Sequence, residues 1–143
     1  MSDFSRFMKK NKIQRENMQY PATASIVDDE GKALLWELRP LTTDEVERIR
    51  DACTVEVQVP GKPHVFRPKT DMTKYQLKMV CAAVVVPDLN NKELQDSYGV
   101  MTPEELLTQL VDNPGEYADL LTVTQKLNGY KTLQEEVDEA KNS

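Results

Sequence analysis

Three helix starts within one short stretch constrain this chain more than anything else in it. Over residues 87–130, PDLNNKELQDSYGVMTPEELLTQLVDNPGEYADLLTVTQKLNGY, Asn90 precedes Glu93, Thr102 precedes Glu105 and Asn113 precedes Glu116. In each pair the first side chain can accept a hydrogen bond from an orphan N–H of the opening turn. The glutamate three residues on can reach back to the cap's own N–H. Pro103 and Pro114 fall at the first helical position, where a missing N–H costs nothing. Gly99 and the pair Asn128-Gly129 supply the stops. The stretch predicts a cluster of short helices, not a catalytic loop.

Two of these helices carry apolar stripes. Leu106, Leu107, Leu110 and Val111 share one side of the second; Tyr117, Leu120, Leu121 and Leu127 line the third. Either both stripes build the domain's own core, or one stays partly open for a partner helix. The candidate partner-binding residues are Tyr117, Leu120 and Leu121.

Upstream, the pattern alternates between helix and strand. Residues 2–10 predict a short helix with Phe4, Phe7 and Met8 on one side, followed by Lys9, Lys10, Lys12 and Arg15. It either docks on the body or acts as a basic N-terminal arm spanning residues 1–20. Residues 23–27 and 33–38 flank the turn Asp28-Asp29-Glu30-Gly31 and predict a β-hairpin with Leu34, Trp36 and Leu38 on one face. Thr42 and Glu45 then spell a capping box, with Leu41 and Val46 placed as a hydrophobic staple and Val46, Ile49 and Cys53 inward. Over residues 54–70, alternating Val55, Val57 and Val59, the turn Pro60-Gly61-Lys62 and the return through His64 to Arg67 predict a second, protruding hairpin. Asp71 caps a helix reaching about Val86, whose last turn, Val84-Val85-Val86, is ambiguous with a strand. A final acidic helix over residues 131–141 places Leu133, Val137 and Ala140 inward. The expected fold is α+β and mainly α-helical, with the short-helix cluster in the C-terminal half and one or two hairpins in the N-terminal half. At 143 residues it suits one domain, burying roughly two-thirds of its unfolded surface.

Composition excludes several functions. A net charge of −6 argues against general nucleic-acid binding. The charge is uneven: residues 1–20 hold five basic and two acidic side chains (+3), and residues 102–143 three basic and nine acidic ones (−6). That asymmetry can steer a homo-oligomer or merely reflect solvated faces. No apolar run approaches the roughly 20 residues of a membrane span, and the N-terminus lacks a signal peptide's apolar segment, so a cytoplasmic protein is expected. Cys53, Cys81 and the single His64 make no zinc set, and neither P-loop, GxGxxG, HExxH nor GxSxG is present. No catalytic residue, metal or cofactor is expected; both thiols suit small buried hydrophobes.

The run LNNKELQDSYGVMTPEELL, then GEYADLL and LNGY, together with the upstream WELRPLTTDEVERIRDAC, resembles the XkdN-like family of phage tail assembly chaperones. The resemblance spans about residues 4–141 and consists of structural residues. It implies a protein acting in the host cytoplasm and absent from the mature virion. Its partners would be the tape-measure protein, which it keeps soluble, and the tail tube subunits that replace it. A structural tail component retained in the virion and a non-enzymatic regulatory adaptor stay open beside it.

Overall fold

The computed structural model describes the backbone of residues 3–131 and 133–142 and the side chains of residues 3–131 and 137–141. The chain is mixed α+β and mainly helical. Its elements are α1 (Asp3–Arg6), β1 (Met18–Tyr20), β2 (Trp36–Leu38), α2 (Thr43–Ala52), β3 (Thr54–Val59), β4 (Lys62–Thr70), α3 (Met72–Ala83), β5 (Val84–Val86), α4 (Lys92–Ser97), α5 (Pro103–Leu110), α6 (Pro114–Leu127) and α7 (Leu133–Asn142). The predicted opening helix of residues 2–10 is cut to the single turn α1 and a 3-10 turn at Lys9–Asn11. It has no buried residue to hold it longer.

Two small antiparallel sheets form. In the first, β2 lies between β1 and β5, with Met18 opposite Leu38, Tyr20 opposite Trp36, and Leu38 opposite Val84. The first predicted hairpin is therefore corrected. Only Val27 and Ala33 bridge across its turn, and the strand holding Trp36 finds its neighbours at residues 18–20 and 84–86. Trp36 and Leu38 are buried, as period-two alternation requires, but Leu34 is exposed because β2 begins only at Trp36. The valines that the sequence leaves ambiguous leave the helix at Ala83 and become β5. β-Branched side chains lose rotamer freedom in a helix and fit a pleat, and here they also pair with β2.

The side-chain caps follow the sequence with one shift, but the expected reach of the glutamate back to the cap N–H forms only at Thr42 and not at Thr102 or Asn113. Thr42 Oγ1 accepts from Glu45 N–H at 3.2 Å, and Glu45 Oε1 accepts from Thr42 N–H at 3.1 Å, a complete capping box. Thr102 and Asn113 accept from the N–H groups of Glu105 and Glu116 at 3.1 and 3.2 Å. At the first helix of the cluster the cap is Asn91, not Asn90. Asn90 gives its N–H to Asp88 Oδ1 in a local turn, and Asn91 Oδ1 accepts from Leu94 N–H at 2.8 Å. With the start moved by one, the third helical residue is Leu94, so no glutamate closes that box. Gly129, at φ +88, ends α6 in the left-handed region that favours glycine.

Two apolar clusters share the interior. The larger gathers Trp36, Leu38, Val80, Leu106, Leu107, Leu110 and Leu120 between the first sheet and α3, α5 and α6. The smaller gathers Leu41, Val46, Cys53, Tyr75, Met79 and Ala83 between α2 and α3. The predicted staple of Leu41 and Val46 lies inside it. In α7, Val137 and Ala140 are exposed rather than inward, and the expectation for Leu133 falls outside the described side chains.

Candidate partner-binding surfaces

The stripe of α6 is where the sequence places a partner contact, and the structure spends most of it on the core. Leu120 is 0% exposed and packs among the larger cluster, facing α3. It offers no surface to a partner in this conformation. Tyr117 and Leu121 are half-buried: Tyr117 packs against the larger cluster, and Leu121 against both. Burial also pushes the Tyr117 hydroxyl above its usual pKa. Only the outer edges of these two side chains face solvent. Asn113 and Pro114 set where α6 begins, and its packing against α3 buries the middle of the stripe.

A second apolar surface lies at the N-terminus. Phe4 is 78% exposed, Phe7 87% and Ile13 91%, and Met8 is exposed beside them. Arg6, Lys9, Lys10 and Lys12 interleave with these side chains. The segment does not dock its phenylalanines on the body. It is tied further on, where Arg15 Nη2 donates to the Leu41 carbonyl. Beneath the tether lies an open groove of about 590 Å³ lined by Lys12, Ile13, Arg15, Arg50, Asn128 and Tyr130 among others. Asn128 Oδ1 accepts the Leu41 N–H at 2.6 Å, while its buried Nδ2 has no partner. Arg50, whose guanidinium carbon lies 5.3 Å from the centre of the Tyr75 ring, adds a third cation to the groove. Glu47 lines the same groove, so its three cations share the lining with one carboxylate. The sequence marks Asn128 only as a helix stop and Arg50 only as a solvated charge. Their convergence with Arg15 depends on contacts across the fold that no local pattern signals.

The third surface is the hairpin of β3 and β4. Its base is held by Asp71 N–H donating to the Cys53 carbonyl at 2.8 Å and by the Thr54 and Thr70 hydroxyls at 2.7 Å. Beyond that base it stands out from the body, with Val55, Val65 and Phe66 exposed and Lys62, Arg67 and Lys69 on its second strand. His64 is an exposed residue of the same strand.

Reactive chemistry has little to work with. Both cysteines are free; Cys53 is buried, whereas Cys81 is only partly covered. Burial, helped by the nearby Glu104 charge, pushes the Cys81 thiol up to about 12, so it is protonated and unreactive at neutral pH. Glu45 is held down at about 2 by its hydrogen bonds with Arg39, at 3.0 and 2.5 Å, which makes it a structural ion-pair partner and a poor general base. Among the described residues no three His, Cys, Asp or Glu side chains converge as a metal set. No described helix is long and apolar enough to cross a membrane.

Comparison with known proteins gives this architecture a context. The chain is 27% identical to the phage-like element PBSX protein XkdN of Bacillus subtilis (strain 168), covering 98% of this chain and 94% of that protein. It is 26% identical to the uncharacterized protein YqbN of the same organism, over 96% and 91% of the two chains. The crystal structure of YqbN superposes with a TM-score of 0.76 at 24% identity, covering 92% of this chain and 99% of that one, so the two share a fold. Residues 4–141 match the family described as phage XkdN-like tail assembly chaperone protein, and the chain belongs to that family.

Proposed function

We propose that this protein binds the tape-measure protein of a long phage tail in the host cytoplasm, keeps it soluble, and leaves as tube subunits polymerise around it. The observation that carries the reading, beside family membership, is the row of exposed apolar side chains on the basic arm, Phe4, Phe7, Met8 and Ile13. A long amphipathic chain exposes apolar surface that otherwise aggregates. Several chaperone copies can cover that surface by packing apolar side chains against it, with no cofactor and no bond chemistry. We assign the contact to this arm together with the outer edges of Tyr117 and Leu121, Leu120 acting as the buried support beneath them.

Co-expression tests the proposal. The intact protein should raise the soluble yield of its cognate tape-measure protein and copurify with it, and mass spectrometry of purified virions should not find it. Replacing Phe4, Phe7 and Ile13 together by serine should remove the rescue and leave the melting temperature unchanged, because none of the three is buried. An intact protein that neither binds nor solubilises the tape measure would overturn the reading.

A further inference from the structure

The outer edge of β3 has no strand beside it among the described residues. The phase of its ladder with β4 says which backbone groups lie there. Asp71 donates to the Cys53 carbonyl one step outside the opposed pair Thr54 and Thr70. Antiparallel alternation then makes Thr54–Thr70 an unbonded pair, Val55–Lys69 and Val57–Arg67 bonded pairs, and Glu56–Pro68 unbonded again. A proline is tolerated at position 68 because the ladder asks no N–H of it. The N–H and C=O groups of Glu56 and Gln58 therefore point away from β4, and among the described residues neither has a backbone partner beyond it. The far edge of β4 is different, since Pro68 interrupts its outward row of donors.

The geometry points to β3 as the seam of a symmetric dimer, in which β3 of one protomer pairs antiparallel with β3 of a second copy. Three registers pair the outward groups of Glu56 and Gln58 with one another, and the one centred on Gln58 sets Glu56 opposite Pro60, which has no N–H to give. A register centred on Glu56 sets two carboxylates directly opposite each other, which is repulsive. One centred on Val57 sets Glu56 opposite Gln58 of the second copy, carboxylate against amide. Each such pair exchanges two backbone hydrogen bonds, and the pair occurs twice. This register also lines Val55 and Val57 of both copies along one face of a four-stranded sheet, up to the register shift of the β3–β4 ladder between Gln58 and Val59.

The occupant is a second copy because the edge complements itself. Glu56 meets an amide donor, and the cations Arg67 and Lys69 lie on the two outer strands. Those strands are three spacings, about 14 Å, apart, beyond the screening length of about 8–10 Å near physiological salt. Pro68 then stands at both outer edges and stops further addition, so the assembly closes at two. This goes beyond the tape-measure reading, and it is tested on the protein alone, so either can fail without the other.

Sedimentation of the parent protein should show a mass that rises with concentration toward twice the 16.3 kDa chain. Glu56→Pro removes one outward N–H and no bond to β4, so it should sediment as a monomer with an unchanged circular dichroism spectrum. Val57→Cys places two thiols opposite each other at the dyad, in an unbonded pair where side chains approach closest. Under mild oxidation it should give a covalent dimer on non-reducing gels, with Glu56→Cys and the parent giving far less. A parent that stays monomeric at every concentration overturns the proposal, including one that gains a strand only from the tape-measure protein. A dimer indifferent to Glu56→Pro also overturns it. If Glu56→Pro misfolds, the Val57→Cys result decides: no preferential cross-link sinks the seam.

Discussion

At the scale of single residues, the carboxylates of the capping signals have parted ways. Glu45 closes its box on Thr42 and also takes the fork of Arg39. Glu105 accepts from the Thr102 hydroxyl, at 3.1 Å. Glu116 leaves its cap altogether and crosses the fold to accept from Thr23 Oγ1 at 2.8 Å and Ala24 N–H at 2.7 Å, fixing the loop before the first turn. For Glu45 a pH dependence follows. Its carboxyl is near 4.3 in an unfolded chain and about 2 when folded, chiefly through the Arg39 hydrogen bond. Its contribution is therefore fully present above the unfolded value and is lost as pH falls from about 5 through 2. Both side chains of the pair are about a third exposed, so solvent screening keeps the contribution to about 1 kcal/mol. Denaturation curves of Glu45→Gln against the parent should show that gap at pH 7 and its disappearance near pH 2. A gap that does not change with pH would mean the ion pair contributes nothing and only the cap geometry matters.

At the scale of elements, legibility tracks distance along the chain. The Thr42 box, the Thr102 and Asn113 caps, the stop at Gly129 and the turn at Gly61 each depend on residues within about four positions, and all are readable from the sequence. The partners of β2 are not readable, because residues 18–20 and 84–86 lie on either side of it with helices and a hairpin between. The same holds for the candidate site. The stripe of Tyr117, Leu120 and Leu121 is visible as a helical period, but whether it faces α3 or solvent depends on where α3 runs. Trp36 shows what a central strand can specify once its neighbours are known. It sits in the middle strand at 2% exposure, inside the larger cluster. Its emission should be blue-shifted in the native protein and move red on unfolding. Trp36→Ala should cost about 3–5 kcal/mol, as for other large core side chains. Native emission already at the solvent-exposed position would contradict this packing.

At the scale of the whole molecule, the question is whether two apolar clusters make one cooperative unit or two. The helix α3 answers in part, since consecutive residues serve different clusters: Met79 and Ala83 belong to the smaller, Val80 and Val84 to the larger. Leu121 packs against both, and Lys78 on α3 pairs with Glu104 on α5 at 3.0 Å. Neither cluster can lose α3 without exposing the other's side chains to water, at about 25 cal/mol for each Å² of apolar surface. Unfolding of the body should therefore be a single transition. Trp36 fluorescence reports the larger cluster, and the part of the near-ultraviolet dichroism that Tyr75→Phe removes, from a ring held against Arg50, reports the smaller. The two urea curves should coincide in midpoint and slope. Leu121→Ala should shift both midpoints together, because the side chain it shortens belongs to both clusters. Curves that separate, or a variant that moves only one of them, would show that the clusters melt independently and that α3 does not couple them.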